Sequence, residues 1–128
     1  MGISHITLIS IPVTDQDKAL SFYESLGFSV TNDHIMTEEE MPPEPDLRWL
    51  QLGTTTGDTT VVLANWTVGG LEPGVMHMSV AADDVKALHK SLALKNFDPS
   101  PIFDAPFGSF FNVNDPDGNG VMVVEEKK

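Results

Sequence analysis

The side chains that could carry out chemistry in this sequence are few and widely spaced. The chain contains four histidines, His5, His34, His77 and His89, and no cysteine. Without cysteine, disulfide bonds, thiolate zinc sites and cysteine nucleophiles are excluded. His34 lies in an acidic stretch and His89 lies near two lysines on a predicted helix, so both are predicted to be solvated. This leaves His5 and His77 as the histidines for which a role is considered.

The run Asp115-Pro116-Asp117-Gly118-Asn119 superficially suggests a calcium site. If Gly118 is placed at the sixth position of an EF-hand loop, Val113 and Val124 fall at the first and twelfth positions, where carboxylates are required. The calcium hypothesis therefore fails. A tight turn explains the run, because Asp and Pro open turns and Gly accepts a positive φ angle.

Arginine and the aromatic residues have one structural and one functional interpretation each. Arg48, the only arginine, is predicted to anchor the neighbouring acidic loop through a carboxylate, with an anionic ligand group as the alternative. The aromatic residues outside the first helix are interpreted as core residues rather than ligand-stacking groups, as is usual in small domains. They are Trp49, Trp66, Phe103, Phe107, Phe110 and Phe111. Phe110 and Phe111 are adjacent on a predicted strand, so they point to opposite faces and one of them should face a binding cleft.

Composition and charge exclude several classes of protein. The chain has 128 residues, of which 41% are hydrophobic, enough for one domain with a real core. Seven basic and nineteen acidic residues give a net charge of −12, which disfavours nucleic acid and anionic membrane surfaces as partners. The chain shows neither a leader with a basic start nor an apolar run of membrane-spanning length, so a cytoplasmic protein is predicted.

The elements that must position these residues form two similar series. Each half is predicted to run strand, helix, strand, strand, strand, with module 1 at about 1–68 and module 2 at about 74–128 of one domain, 1–128. Predicted strands of the first half are 5–13, a strand from 28, 48–52 and 59–64, with a loop at 32–46. Those of the second half are 76–82, a strand from 96, 109–113 and 120–125. Asp15 and Asp84 are predicted helix caps.

Matching residues in the two halves indicate an internal repeat. Ahead of the helices an offset of 69 pairs Ser10 with Ser79, and within them Lys18-Ala19-Leu20 recurs as Lys86-Ala87-Leu88 at an offset of 68. In the hairpins an offset of 61 pairs Trp49 with Phe110. Three such blocks in the same order favour duplication of a β-α-β-β-β unit. The fold class predicted is α+β, with two βαβββ modules in a pseudo-twofold arrangement whose curved mixed sheets surround one cleft.

These blocks resemble the vicinal oxygen chelate superfamily, which includes glyoxalase I, bleomycin-resistance proteins and extradiol dioxygenases. The resemblance rests on Phe22-Tyr23-Glu24-Ser25-Leu26-Gly27-Phe28, on the run from His77 to Val85, and on the 115–119 turn. It spans nearly the whole chain and specifies the fold rather than the reaction. Because related proteins commonly dimerise, the resemblance also implies a homodimer.

The resemblance implies four inward positions at which metal enzymes of the superfamily carry their ligands. Counting from the helix caps and the hairpin turn, these positions are Leu8, Val61, His77 and Met122. Of the four side chains, only that of His77 could bind a divalent metal such as zinc, nickel or iron. Such a metal needs three or four nitrogen or oxygen donors. No metal and no cofactor are therefore predicted. A fallback site of His5, His77 and Glu126 would require an irregular strand.

The function predicted is metal-independent binding of a small molecule, similar to the antibiotic-binding resistance proteins. A cationic or amphipathic compound such as an antibiotic would be sequestered in a mainly apolar cleft. The predicted ligand-binding residues are Leu8, Ser10, Val61, Leu63, His77, Ser79, Phe110, Met122 and Val124. The alternative is a glyoxalase-like lyase or isomerase, or a dioxygenase-like enzyme, with a non-standard metal site. His77 is the only candidate catalytic base, and it could also serve an enzyme that uses no metal.

Overall fold

The fold consists of two helices and eight strands within the residues that the computed structural model describes, which are 2–37, 47–66 and 70–126, Glu126 by its backbone alone. In chain order the elements are β1 (Leu8–Pro12), α1 (Gln16–Leu26), β2 (Ser29–Ile35), β3 (Arg48–Gly53), β4 (Thr60–Ala64), β5 (His77–Ala81), α2 (Val85–Leu94), β6 (Phe103–Ala105), β7 (Gly108–Asn114) and β8 (Gly120–Glu126). The predicted α+β class, with a βαβββ order in each half, is confirmed.

The chain divides into two compact units, Met1–Glu72 and Pro73–Lys128. The first contains a four-stranded sheet in the order β1-β4-β3-β2, and the second a sheet in the order β5-β8-β7-β6. In each sheet the first strand is parallel to the last strand of its unit, and the other pairs are antiparallel. Both sheets are therefore mixed, and the two units have the same topology. An origin by duplication would explain this likeness and stays a prediction.

Helix α1 begins after the cap that the sequence predicted, Asp15. The Asp15 carboxylate accepts a hydrogen bond from the Lys18 backbone N–H at 3.1 Å, which caps the helix, and Gly27 ends it with a φ of 109°. Ala19, Phe22 and Tyr23 are fully buried on one side of the helix. That apolar stripe gives α1 a face to pack against the sheet of its unit.

The contacts of Arg48 show which face of the first sheet α1 covers. This β3 side chain bonds to Asp17 on α1, so the residues that share its side of the sheet face the helix. Along β3 they are Leu50 and Leu52, which are fully buried. We call this side the helix face of the unit and the opposite side, which carries Trp49, the open face.

The second unit has the same two faces. Asp84 caps α2 by accepting from the Ala87 backbone N–H at 3.0 Å. Glu125 of β8 accepts from the Val85 backbone N–H at 3.1 Å, and Phe111 of β7 meets the edge of the His89 ring. Glu125 and Phe111 therefore lie on the helix face of this sheet, and their strand neighbours point to its open face.

Two predicted elements are wrong. The loop expected from residue 32 starts later, because β2 continues to Ile35 by pairing with β3; residues 38–46 of the expected acidic loop lie outside the described residues. The strand expected from Asn96 does not form. Asn96 and Asp98 have positive φ angles of 65° and 56°, which break an extended chain, and the strand begins only at Phe103.

The 115–119 turn is held by buried polar side chains that also bind the chain entering β5. Asp115 accepts from the backbone N–H groups of Asp117 and Asn119 and from the Asn119 amide nitrogen, each at 2.9 Å. The Asn119 side-chain oxygen accepts from the backbone N–H groups of Gly74 and Met76. The turn thus holds the chain that enters β5, in agreement with the structural interpretation.

Candidate ligand-binding site

The open face of the second unit brings together the five residues predicted there. His77 and Ser79 alternate along β5, Met122 and Val124 along β8, and Phe110 lies on β7. Ser79 pairs with Met122, and Phe110 pairs with Val124, so all five side chains lie on the same side of the sheet. Phe111 points to the helix face and is fully buried. Of the two phenylalanines, Phe110 is thus the one on the open face.

Three phenylalanines form a cluster at the β6–β7 hairpin. The Phe110 ring stacks on Phe107 with centroids 5.6 Å apart and meets Phe103 at 5.5 Å. Phe103 is 46% exposed and Phe107 is 52% exposed, so the cluster presents aromatic surface to solvent. Exposed aromatic surface of this kind is typical of places where a ligand or partner binds. The sequence predicted only Phe110 of the three as a ligand-binding residue, and the interpretation of Phe103 and Phe107 as core residues is wrong.

His77 lies directly over the backbone of β8. A Cβ atom at Gly120 would stand 2.8 Å from His77 Cδ2, so the imidazole can occupy this place only because residue 120 is glycine. The same virtual atom lies 3.7 Å from Asn114 Oδ1. Within the described part of the chain, the exposed imidazole makes no hydrogen bond that would occupy it. It is available to a ligand on the open face.

In the first unit, two of the predicted ligand-binding residues do not lie on the open face. Leu8 pairs with Thr60 and Ser10 with Val62, so these four side chains share the open face. The prediction that Val61 and Leu63 line the same surface as Leu8 and Ser10 is wrong. Both are buried on the helix face, level with Leu52.

The physical reason is one extra residue in the β3–β4 turn. Gln51 pairs with Val62, eleven positions on, whereas its counterpart Asn112 pairs with Met122, ten positions on. The offset of 61 between the repeats therefore holds for β3 and β7 but falls to 60 beyond the turn. Because side chains alternate along a strand, one residue moves the whole set to the other face. Val62 is the counterpart of Met122.

A chain of polar contacts on this open face was missed by the sequence reasoning. Trp49 donates from Nε1 to Gln51 Oε1 at 3.0 Å, and Gln51 donates from Nε2 to Thr60 Oγ1 at 2.8 Å. Trp49 also stacks on Trp66, with centroids 6.0 Å apart and ring planes at 25°. Both tryptophans are half-buried, so the prediction that they belong to the core is wrong. The signal was present, since Trp49 is the repeat counterpart of Phe110.

Arg48 links β2, β3 and α1. Its guanidinium donates two hydrogen bonds to Asp33, at 2.9 Å each, and one to Asp17 at 2.8 Å. These bonds lower the pKa of the Asp33 carboxyl below its ordinary value and raise the pKa of Arg48. Anchoring through a carboxylate is confirmed, although Asp33 belongs to a strand rather than to a loop.

His89 is not the solvated residue that the sequence predicted. Its Nε2 lies 2.7 Å from the Ser100 carbonyl oxygen, and its ring meets Phe111 edge-on at 5.2 Å. The imidazole is half-buried and fixes the segment between α2 and β6. The helical pattern could not reveal this contact, because Ser100 lies in an irregular segment.

Comparisons with known proteins agree with this architecture. The family model of the Glyoxalase/Bleomycin resistance protein/Dioxygenase superfamily matches residues 2–123, and the chain belongs to that superfamily. The sequence has no significant match among curated proteins. Among the described residues, neither helix combines the length and the apolar character that crossing a bilayer requires.

Several solved structures are similar to the chain over nearly its whole length. TnmS3, an antibiotic binding protein from Streptomyces sp. CB03234, is 32% identical with a TM-score of 0.84, and the match covers 99% of each chain. A glyoxalase/bleomycin resistance protein from the same organism is 30% identical with a TM-score of 0.79, covering 94% of this chain and 100% of the other. A superfamily member from Sphaerobacter thermophilus DSM 20745 is 29% identical with a TM-score of 0.79, covering 97% and 98%.

The residues present do not fit the divalent metal that enzymes of this superfamily use. With the register corrected, the family positions carry Leu8 and Val62 in the first unit and His77 and Met122 in the second. The first pair offers no donor, and the second offers one imidazole and one soft thioether. Within residues 2–37, 47–66 and 70–126, His, Asp and Glu side chains form no group of three able to hold a metal. Of the fallback ligands, His5 lies before β1 and contacts Ser4, and the Glu126 side chain lies outside the described residues.

Proposed function

We propose that this protein binds a small organic molecule on its open faces and sequesters it without chemical conversion. The observation that carries the proposal is the composition of these faces, which present partly exposed apolar and aromatic side chains such as Leu8, Phe110 and Met122 together with a few polar anchors. Ligand sites commonly combine an apolar lining with few polar groups in this way. The similarity to an antibiotic binding protein over 99% of the chain supports an antibiotic as the ligand.

The charge of the protein favours a cationic or amphipathic ligand. A net charge of −12 attracts cations over long distances and raises their local concentration. The one arginine is already engaged by Asp17 and Asp33, so it does not offset this attraction at a ligand site. We also propose that the protein is a homodimer, as the family resemblance implies, and that it is cytoplasmic.

His77 would act as a polar anchor for the ligand. Its imidazole is exposed on the open face of the second unit, beside the half-buried thioether of Met122 two residues along the neighbouring strand. Neutral imidazole can donate one hydrogen bond and accept another. The anchor requires no metal, because the neighbouring positions supply no further hard donor. The same imidazole would be the base if the protein were an enzyme that uses no metal.

Isothermal titration with a cationic glycopeptide antibiotic tests the proposal. We expect saturable binding to protein stripped of metals, and recovery of unchanged antibiotic by mass spectrometry. Met122→Lys places a cation on the open face and should weaken binding at least tenfold. Leu94→Lys, at the 75% exposed end of α2, is the matched control and should leave affinity unchanged.

Three results would contradict the proposal. Absence of heat at millimolar antibiotic would remove the binding function. Conversion of the antibiotic would indicate an enzyme, and His77→Ala would then show whether this imidazole is required. Stoichiometric zinc, nickel, iron or manganese in protein purified without chelator would favour the glyoxalase-like or dioxygenase-like alternative.

A further inference from the structure

We infer that Asn119 is a conditional deamidation site, which is protected in the folded protein and modified only when the 115–119 turn opens. The chain contains one Asn–Gly dipeptide, Asn119-Gly120. An asparagine that precedes glycine loses its side-chain amide most readily, because glycine has no Cβ to hinder the following backbone nitrogen. The inference concerns a covalent modification of the chain and is independent of the proposed ligand.

The reaction joins two atoms of this dipeptide. The backbone nitrogen of Gly120 attacks Cγ of Asn119, for which the two atoms must approach closely in a suitable orientation. The new N–Cγ bond forms as the nitrogen loses its proton, and the Cγ–Nδ2 bond breaks to release ammonia. Water then opens the cyclic imide at either carbonyl and leaves aspartate or isoaspartate. One water is consumed, one ammonia is released, and no oxidant or reductant is required.

The structure holds both ends of the Asn119 amide. Oδ1 accepts from the backbone N–H groups of Gly74 at 2.9 Å and Met76 at 3.0 Å. Nδ2 donates to Asp115 Oδ2 at 2.9 Å, and the residue is 1% exposed. The side chain therefore cannot turn toward the Gly120 nitrogen without breaking three hydrogen bonds, and the water that the second step needs has little access.

The attacking nitrogen is engaged as well. The Gly120 N–H donates to the Met76 carbonyl oxygen at 2.8 Å. In the same peptide unit, the Asn119 carbonyl oxygen accepts from the Asp115 backbone N–H at 2.9 Å. The peptide plane between the two residues is thus fixed on both sides. Because attack requires this plane and the side chain to rotate, the turn must open before the reaction can start.

Two separate structural requirements explain why a reactive pair stands at this place. Residue 119 must accept from two N–H groups and also donate to a carboxylate, which a carboxamide can do and a carboxylate cannot. Residue 120 must be glycine, since a Cβ there would lie 2.8 Å from His77 Cδ2. The fold requires each residue for its own reason, and the reactive dipeptide is the result.

Deamidation would prevent the turn from closing again in its native form. An aspartate at position 119 has no donor for Asp115, and two carboxylates would face each other across the present N···O distance of 2.9 Å. Like charges at such a distance repel. Since Asn119 also holds the chain that enters β5, a single opening of the turn is converted into a lasting loss of stability in the second unit.

Incubation in mildly alkaline buffer, followed by peptide mapping with mass spectrometry, tests the inference. We expect Asn119 to deamidate at least about a hundredfold more slowly in the folded protein than in guanidinium chloride, because the rate follows the fraction of molecules whose turn is open.

Thr56→Asn is the matched control, since it creates a second Asn–Gly pair with Gly57 in the exposed turn of the first unit. There the Gly57 N–H makes one exposed bond, to Thr54 Oγ1. In the folded protein the new site should react within about tenfold of its rate in denaturant.

Two variants of the turn complete the test. Asp115→Asn leaves one acceptor oxygen where there were two, so, with its fold confirmed by circular dichroism, it should speed deamidation of Asn119 about tenfold, the size of one net hydrogen bond. Asn119→Asp reproduces one product and should unfold at a lower denaturant concentration than the native protein.

Four results would overturn the inference or one of its parts. Equal rates at Asn119 in the folded and unfolded native protein would remove the protection, and no reaction in denaturant would remove the reactive site. An unchanged rate in folded Asp115→Asn would show that the bond to Asp115 does not protect the amide. Native stability of Asn119→Asp would show that the turn accommodates the product. None of these results bears on antibiotic binding.

Discussion

The two open faces have the same scaffold and different chemistry. In both units the sheet has the same strand order, and Trp49 on β3 corresponds to Phe110 on β7. The first unit joins its aromatic surface to a hydrogen-bonded amide, whereas the second carries phenylalanines and, farther along the same face, the exposed imidazole of His77. The comparison shows that topology determines which positions face outward, while the residue types at those positions determine what can bind.

The hairpin turns of the two units also differ in their hydrogen bonds. In the second unit Asp115 and Asn119 are 4% and 1% exposed and hold the chain entering β5. In the first unit the turn makes an exposed bond from the Gly57 backbone N–H to Thr54 Oγ1. The first turn is one residue longer, and it holds the chain that enters β1 through an exposed hydrogen bond from the Thr59 hydroxyl to the Ile6 carbonyl oxygen at 3.1 Å.

The largest expected effect on stability comes from removing the hydrogen bonds by which Asn119 holds the chain entering β5. Asn119→Ala leaves the N–H groups of Gly74 and Met76 without the oxygen that accepts from them, and it removes one hydrogen bond that Asp115 accepts. Each unsatisfied buried group costs about 1–3 kcal/mol, so we expect a loss of about 3 kcal/mol in the free energy of unfolding. Urea denaturation followed by circular dichroism measures it. Thr54→Ala in the other turn is the control and should cost less than about 0.5 kcal/mol.

A second prediction tests which residues lie on the helix face of a sheet and which lie on its open face. Val61→Ala should lower stability by about 1–3 kcal/mol, since Val61 is 4% exposed against α1, and should leave ligand affinity unchanged. Met122→Ala, on the open face and half-buried, should cost about 1 kcal/mol and weaken binding of the antibiotic. Loss of antibiotic binding in the Val61 variant, with its fold intact, would contradict the corrected register.

The sequence reasoning succeeded where a local signal was sufficient. Asp15 and Asp84 cap their helices as predicted, and strand alternation placed Ser79 and Met122 on one face of the second sheet. It failed at Val61, because the offset between the repeats was assumed to hold across a turn whose length differs by one residue. Only strand pairing, which is a long-range property, reveals such a change.

Other residues were misread because their partners are distant in sequence. His89 looked solvated on its helix, yet it bonds to Ser100 eleven positions away. Trp49 looked like a core residue because an aromatic type alone does not show which face it occupies. The alternation with Leu50, together with the correspondence to Phe110, contained that information.

The smallest expected effect concerns the ion pairs that join α1, β2 and β3 in the first unit. The Arg48 guanidinium lowers the pKa of Asp33 from its ordinary value of 3.8. A carboxyl whose pKa is lowered by folding contributes stability that is fully present above its unfolded pKa and is lost as pH falls through the folded pKa. Because the Asp33 side chain is 42% exposed, solvent screens the pair and its contribution should be about 0.5–1 kcal/mol.

Asp33→Asn measures this contribution against pH. The native protein should exceed the variant in free energy of unfolding by the full amount at pH 6, and the gap should close as pH falls below about 4. Arg48→Gln should lower stability at least as much as Asp33→Asn at neutral pH, since it removes the bond to Asp17 as well as those to Asp33. Salt at 1 M should narrow the gap because exposed charges are screened. A gap that persists at pH 2 would mean that Asp33 stabilises β2 through packing or neutral hydrogen bonds instead of through its charge.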